Sequence, residues 1–136
     1  MLTDAFHAYF RVGDIRRVRV CGFDGCPCFC NLSKTVFRQD GDISFEGETD
    51  RIYSAGGRKA VIVDPVLGRR ICVERSGSRS AVVWNPWDRT SMRLGFFEES
   101  EYEDMLCVEP ANTREDARSL PPGARHALGL RISLQD

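Results

Sequence analysis

The stretch RICVERSGSRSAVVW, residues 70–84, contains two short apolar runs separated by the polar segment RSGSRS. Short apolar runs bounded by Gly, Ser, Asn, Asp or Pro clusters are typical of β-strands joined by turns. The same pattern recurs along the chain and predicts eight strands, at residues 16–20, 35–38, 43–45, 60–63, 70–74, 81–84, 105–108 and 128–134. Eight short strands at this spacing predict an all-β sandwich or barrel.

Helical character is confined to two segments. FEESEYEDM, residues 97–105, begins like a helix, and ANTREDARSL, residues 111–120, is polar with weak helical periodicity. No internal repeat and no low-complexity linker interrupts the pattern. At 136 residues, the chain is predicted to form a single domain, residues 1–136, with a core of its own.

Charge and hydropathy exclude several kinds of partner. The net charge of −1 favours neither a nucleic acid nor an anionic membrane. No stretch approaches the roughly 20 apolar residues that span a bilayer. The first residues, MLTDAFHAYFRVGD, do not have the basic-then-apolar pattern of a secretion signal. The sequence therefore predicts a cytoplasmic protein, whose thiols stay reduced.

Four of the six cysteines lie in CGFDGCPCFC, residues 21–30. On a strand, Cys26, Cys28 and Cys30 would share one face, and Cys21 would complete four thiolates for zinc. However, no second cysteine pair follows at zinc-knuckle spacing, and Pro27 interrupts a regular strand ladder. We expect small buried or half-exposed thiols and no metal, and we keep a thiolate zinc site as an alternative.

Three polar residues have two readings each. His7 lies among aromatic residues in FHAYF, where a histidine is more often buried or hydrogen-bonded than catalytic. Glu109 ends the apolar run MLCVE; it is either a carboxylate in a cleft, with a raised pKa suited to a general base, or the first exposed residue after a strand. Asp50, beside Arg51, is either a turn residue in a surface ion pair or part of a site.

The remaining candidates have plainer expectations. Trp84 is predicted to be a core residue on a strand, and Asn85 and Pro86 a turn. Trp87 is then a rim residue that could stack on a ligand. His126 follows the turn PPGAR and is expected to be exposed to solvent.

Taken in order, five segments resemble the D-hexose-6-phosphate mutarotase family, the glucose-6-phosphate 1-epimerases of the aldose-1-epimerase superfamily. They are HAYFRVGDIRRVRVCGFDG, ISFEGETDRIY, AVVWNPW, SEYEDMLCVEPAN and LPPG. The resemblance covers essentially the whole chain, and HxYF, TDRIY and CVE are specific in combination. It implies a mostly antiparallel β-supersandwich of the galactose-mutarotase type. The implied reaction interconverts the α and β anomers of a hexose 6-phosphate without cofactor or metal.

The resemblance also implies roles for the three polar residues. His7 and Glu109 match the family's catalytic histidine and glutamate, and Asp50 matches a carboxylate that binds the sugar. Opening a cyclic hemiacetal requires removal of the C1 hydroxyl proton and protonation of the ring oxygen. A carboxylate base and an imidazolium acid on opposite sides of the ring can do both.

The chain departs from the family mainly in length, because it matches only the C-terminal half of the family pattern. No arginine here can be assigned the role of those that hold sugar and phosphate in the other half. Half a sandwich should also leave open sheet edges and an apolar face. We therefore expect a homo-oligomer or pairing with a missing N-terminal half. The alternative function is a non-catalytic carbohydrate-binding or interaction module of the same fold.

Overall fold

The computed structural model of the chain describes residues 1–54, 56–95 and 98–135. These residues form eleven β-strands and one α-helix, together with short 3-10 turns at Ile15–Arg17, Glu101–Asp104 and Arg114–Asp116. In chain order the elements are β1 (Asp4–Ala5), β2 (Tyr9–Arg11), β3 (Arg19–Cys21), β4 (Pro27–Cys30), β5 (Thr35–Arg38), β6 (Thr49–Tyr53), β7 (Lys59–Asp64), β8 (Arg69–Ser76), β9 (Ser80–Asn85), α1 (Trp87–Leu94), β10 (Met105–Asn112) and β11 (Gly129–Gln135).

The strands form two antiparallel sheets. The larger sheet has the order β1-β10-β9-β6-β4-β5, with β2 also paired to β10. The smaller sheet has the order β11-β8-β7-β3. The prediction of an all-β sandwich is therefore confirmed.

The core lies between the two sheets and follows from the alternation along each strand. β7 and β8 direct Ala60, Ile62, Ile71 and Val73 into one buried cluster. The larger sheet covers this cluster with residues from β4, β6, β9 and β10, namely Cys28, Tyr53, Ala81, Val83, Leu106 and Val108. Burying each large apolar side chain contributes about 1.5–3 kcal/mol. Because these side chains point inward, the alternate residues of β9 and β10 lie on the opposite, outer face.

Several predicted element boundaries were wrong. Residues 43–45 do not form a strand, because Ile43 makes only an isolated bridge with Val20. The sequence reading also missed β1, β2, β4 and β6, which are five residues long or shorter. Pro27 does not prevent formation of β4, because it is the first residue of that strand, a position that tolerates the missing amide hydrogen of proline.

Trp87 to Leu94 form a helix, and Trp87 is its first residue rather than a rim residue after a turn. The Asn85 side chain is fully buried; it accepts a hydrogen bond from the Trp87 amide and donates to the carbonyls of Tyr102 and Met105. The α1 helix begins at Trp87 and ends at Leu94. Gly95 follows it with a left-handed φ of 71°. The Trp87 ring packs on Tyr102, with ring centroids 5.4 Å apart. Trp87 is therefore a structural residue.

The two segments with helical character contain only short turns. Residues 101–104 form a 3-10 turn instead of the start of a longer helix, while Phe97 lies outside the described residues. In the second segment, Ala111 and Asn112 belong to β10, and a single 3-10 turn follows at Arg114–Asp116.

The cysteines of residues 21–30 are distributed over both sheets. Cys21 lies on β3, and Cys28 and Cys30 lie on β4. All six cysteines of the chain are free thiols. Within the described ranges, the cluster of side chains spaced to hold a metal ion includes none of these four residues. The structure therefore does not bring these four thiols together, as a thiolate zinc site at residues 21–30 would require.

The turn between β7 and β8 depends on Asp64, whose side chain is fully buried. Its carboxylate accepts hydrogen bonds from the amides of Gly13 and Leu67, each 3.1 Å away, and lies 3.8 Å from Arg69 Nε. Asp64→Ala removes both of these part-buried hydrogen bonds, and each hydrogen bond to a charged group contributes about 1.5–3 kcal/mol. We expect the free energy of unfolding in urea to fall by about 3 kcal/mol. The exposed Asp40→Ala variant is the control, with an expected change within about 0.5 kcal/mol.

Candidate active site

His7 and Glu109 are brought together by the way the first two strands pair with β10. Ala5 pairs with Ala111, and Tyr9 pairs with Cys107. Continuing this register places His7 directly opposite Glu109. Between β1 and β2 the ladder is interrupted without a change of register, because the Ala8 amide bonds to the Phe6 carbonyl in a three-residue turn centred on His7.

The contact between the two side chains is short. His7 Nδ1 lies 2.7 Å from Glu109 Oε1. The side chain of His7 is 57% exposed, whereas that of Glu109 is only 10% exposed. The pair therefore has one buried partner and one partner open to the outer face of the larger sheet. The two groups lie side by side, and not on opposite sides of a sugar ring as was expected.

Glu109 lies within β10, which continues through Pro110 to Asn112. Of the two readings of this residue, the buried carboxylate is the one observed. Burial, and secondarily the negative charge of Asp50, raise the pKa of Glu109 to about 7. A carboxyl group with this pKa can exchange a proton near neutrality, as a general base requires.

Asp50 lies on β6, in register with Trp84 of β9. Its Oδ1 accepts a hydrogen bond of 2.8 Å from the side-chain amide of Asn31, and its carbonyl accepts from the Asn31 backbone amide. Asp50 is therefore held by Asn31. It is a strand residue rather than a turn residue, and among the described residues it makes no ion pair with Arg51. β9 separates β6 from β10, and Asp50 is opposite Trp84 whereas Glu109 is opposite Val82. The backbones at Asp50 and Glu109 are therefore about 12 Å apart.

Two aromatic residues complete the surroundings of His7. The Tyr9 ring stacks on the imidazole with centroids 4.6 Å apart, and the Trp84 ring meets it edge-on at 5.6 Å. Trp84 was expected in the core, but it is half-buried on the outer face. The reason is register: Val83 takes the inward position on β9, so Trp84 faces outward. The motif HxYF could have predicted that Tyr9 lies beside His7, because residues two apart on an extended chain share one face.

A cavity of about 400 Å³ lies on the same side of the larger sheet. Its lining includes Asn31, Val82, which pairs with Glu109, and Ala111, two residues further along β10. The volume is within the range of small-molecule sites. His7, Glu109 and Asp50 do not line this cavity; it is connected to them only through their neighbours Asn31, Val82 and Ala111.

His126, the second histidine, was predicted to be exposed to solvent, and this prediction was wrong. It is half-buried, and its Nε2 lies 2.7 Å from Asn112 Oδ1 at the end of β10. Asn112 in turn donates a hydrogen bond to Asp116. His126 therefore belongs to the network that anchors the end of β10.

The raised pKa of Glu109 predicts a pH-dependent stability. Because the folded chain holds this proton more tightly than the unfolded chain, the stabilisation is full below about pH 4.5 and is lost as the pH rises through about 7. At about 1.4 kcal/mol per pH unit, the effect is at most about 3 kcal/mol. Glu109→Gln, which has no charge to bury but a weaker bond to His7, should be more stable than the wild type by about 2 kcal/mol at pH 8. Urea unfolding at pH 5.5 and pH 8 measures this difference, and parallel pH profiles of the two proteins would contradict the assignment.

The fold and the site define an antiparallel β-sandwich with an imidazole–carboxylate pair on one open sheet face. A family model described as aldose 1-epimerase matches residues 2–133. The chain belongs to the aldose 1-epimerase family. No helix among the described residues is long and apolar enough to cross a bilayer.

Individual relatives agree with this assignment. The chain is 42% identical over 123 residues to a protein of Cenchrus ciliaris named "Putative glucose-6-phosphate 1-epimerase", covering 89% of this chain and 37% of the relative. It is 36% identical over 133 residues to a protein of the same name from Escherichia coli K12, covering 96% of this chain and 45% of the relative. The chain therefore spans less than half the length of these curated relatives.

Solved structures share the fold. The crystal structure of HI1317 superposes with a TM-score of 0.83 at 29% identity, covering 98% of this chain and 46% of that one. A structure from Salmonella typhimurium, titled as a putative mutarotase (YeaD), superposes with a TM-score of 0.76 at 33% identity, covering 80% and 37%. The prediction that the chain forms part of a mutarotase-like β-sandwich is confirmed.

Proposed function

We propose that this chain carries the acid–base pair of a hexose-6-phosphate mutarotase, which interconverts the α and β anomers of glucose 6-phosphate or a related aldose. The observation that carries the proposal is the 2.7 Å contact between the open imidazole of His7 and the buried carboxyl of Glu109. The names of the longer relatives support the reaction and the substrate class. No cofactor is needed, because ring opening and closure require only proton transfers and no oxidation or reduction.

In the proposed reaction, ionised Glu109 removes the proton of the C1 hydroxyl while protonated His7 delivers a proton to the ring oxygen. The C1–O5 bond breaks, and C1 becomes the carbonyl carbon of the open-chain aldehyde. Rotation about the C1–C2 bond then presents the other carbonyl face. On closure the C5 hydroxyl attacks C1, its proton returns to His7, and Glu109 protonates the new C1 hydroxyl oxygen. Both residues end in their starting states, so the cycle is balanced.

Asp50 has the role of holding the sugar in register. Its carboxylate keeps acceptor capacity beyond the bond from Asn31, since an ionised carboxylate offers about four lone-pair sites. Hydroxyl donors of the sugar can use that capacity. Positioning of this kind lowers the barrier by keeping C1 beside the acid–base pair.

The length of the relatives favours a further covering surface over the exposed sheet edges. Val36 on β5, an edge of the larger sheet, and Leu134 on β11, an edge of the smaller sheet, are each 71% exposed. The site then works with a second copy of the chain or with an additional segment such as the longer relatives contain. Light scattering coupled to size-exclusion chromatography measures this, and an active monomer would contradict the need for pairing.

Two-dimensional exchange NMR of glucose 6-phosphate tests the proposed function. Cross-peaks between the α and β C1 protons report interconversion, and a protein-free sample gives the spontaneous rate. We expect faster exchange with folded protein than in the protein-free sample. Folded protein that leaves the rate at the spontaneous level would contradict the proposal and favour a non-catalytic module of the same fold.

Replacement of Asp50 tests the positioning role separately. Asp50→Asn keeps the size of the side chain but weakens its acceptor capacity towards sugar hydroxyls. We expect the half-saturating sugar concentration to rise by about 10-fold, corresponding to about 1.4 kcal/mol, with a smaller change in the maximal rate. The exposed Asp40→Asn variant is the matched control. A lower maximal rate at unchanged half-saturation would contradict the role given to Asp50.

A further inference from the structure

Three side chains of metal-ligating types, those of His7, Cys107 and Glu109, lie close together on the outer face of the larger sheet. The ligand atoms of His7, Glu109 and Cys107 all lie within 4.8 Å of one another. Cys107 and Glu109 are alternate residues on β10 and therefore share its outer face, while His7 faces them from the turn between β1 and β2. The proposed acid–base reaction gives no role to the thiol of Cys107.

The distances are close to those of a tetrahedral metal centre. Zinc binds imidazole nitrogen and carboxylate oxygen at about 2.0–2.2 Å and thiolate sulfur at about 2.3 Å, so its ligand atoms stand roughly 3.3–3.8 Å apart. Bringing the three side chains to these separations requires shifts of about 1 Å. The half-exposed ring of His7 can make such a shift, since it lies outside the regular strand ladder.

The set of donors also selects the kind of metal. Calcium and magnesium require six or more oxygen ligands in most sites. One thiolate, one imidazole and one carboxylate instead suit zinc and other borderline or soft divalent ions. Three protein ligands with a fourth position open to the outer face would leave room for water or a sugar hydroxyl.

We propose that His7, Cys107 and Glu109 form a binding site for zinc or a similar thiophilic divalent cation, and that the bound ion blocks the acid–base pair. The ion would occupy the lone pairs of His7 Nδ1 and of the Glu109 carboxylate and displace the hydrogen bond between them. The same three side chains thus have two exclusive states, one proton-carrying and one metal-bound. Binding is independent of the proposed reaction, because it can be measured without any sugar.

Cobalt(II) is the probe that reports the ligands directly. The metal-free chain, kept reduced with a phosphine that does not bind metal, is titrated with Co²⁺ and followed by absorbance. We expect one equivalent to give a near-ultraviolet sulfur-to-cobalt charge-transfer band and visible bands of tetrahedral intensity, both removed by one equivalent of Zn²⁺. Absence of the charge-transfer band would overturn the proposal.

Single replacements distinguish this site from the other thiols. Cys107→Ala and His7→Gln should each weaken Zn²⁺ binding by at least about 10-fold, since even changes beyond the ligands commonly cost 10- to 100-fold. Cys30→Ser, which alters a half-exposed thiol on β4, and Cys72→Ala, which alters a buried thiol on β8, are the matched controls and should retain the band. A band that survives in Cys107→Ala, or disappears in Cys30→Ser, would place the metal elsewhere and overturn the proposal.

Catalytic assays give an independent outcome. Zn²⁺ should abolish the acceleration of anomer exchange, and a chelator should restore it. If the metal-free chain does not accelerate exchange, the proposed function fails while the cobalt spectra still decide the metal site. If Zn²⁺ binds with the expected spectra but leaves exchange unchanged, the blocking part of the proposal is overturned.

Discussion

Glu109→Gln is expected to lower the protein-dependent rate of anomer exchange by about 100- to 10,000-fold, the usual contribution of a general base. The amide has nearly the shape of the carboxyl group, but it cannot accept the C1 hydroxyl proton. Exchange NMR with glucose 6-phosphate measures the rate after subtraction of the spontaneous exchange.

The stability prediction separates this chemical effect from misfolding. Glu109 is almost fully buried, and the pKa of its carboxyl is raised to about 7. The uncharged variant should therefore be at least as stable as the wild type at pH 8. Glu46→Gln, at an exposed position, provides the control and should retain the rate. A rate for Glu109→Gln within about 3-fold of the wild type would remove Glu109 from the role of base.

His7→Ala is expected to lower the same rate by about 100- to 1,000-fold, because the ring oxygen loses its proton donor. The side chain of His7 is 57% exposed, so its removal leaves a space that is open to solvent. Added imidazole should enter this space and restore part of the activity, with a dependence on imidazole concentration that saturates.

The other histidine provides a matched control for this experiment. His126 is hydrogen-bonded to Asn112 and is not part of the pair. His126→Ala should keep most of the rate and gain nothing from added imidazole. If imidazole accelerated His7→Ala no more than it accelerates the protein-free reaction, the role of His7 as proton donor would be contradicted.

The sequence was sufficient for the fold class because the longer strands have a clear pattern. Apolar runs at 60–63, 70–74, 81–84 and 105–108 all lie within β7, β8, β9 and β10. β1 and β2 could not be recognised from periodicity, since strands of two or three residues contain too few alternations. The α1 helix was missed because Asn85 and Pro86 indicate a turn. The hydrogen bonds that hold Asn85 in place go to Tyr102 and Met105, which are distant in the sequence.

The candidate site was only partly accessible from the sequence. The family resemblance identified His7, Asp50 and Glu109, but their separation along the chain gave no information about their contact. That contact depends on the register of β1 and β2 against β10. Strand pairing also explains the site neighbours that the sequence did not identify. Asn31, just after β4, bonds to Asp50 on the adjacent strand β6. Trp84 and Cys107 face outward beside His7.

The central claim is that β10 holds a buried carboxyl group that ionises near neutrality beside the His7 imidazole. The most direct test is the ¹³C chemical shift of the Glu109 carboxyl carbon, followed from pH 4 to pH 9 and assigned by comparison with Glu109→Gln. The structure predicts a titration midpoint near pH 7, with anomer exchange losing its rate as the pH falls through the same midpoint. A midpoint near the ordinary value of 4.5 would contradict the account, because the carboxyl would then be too weak a base for the proposed chemistry.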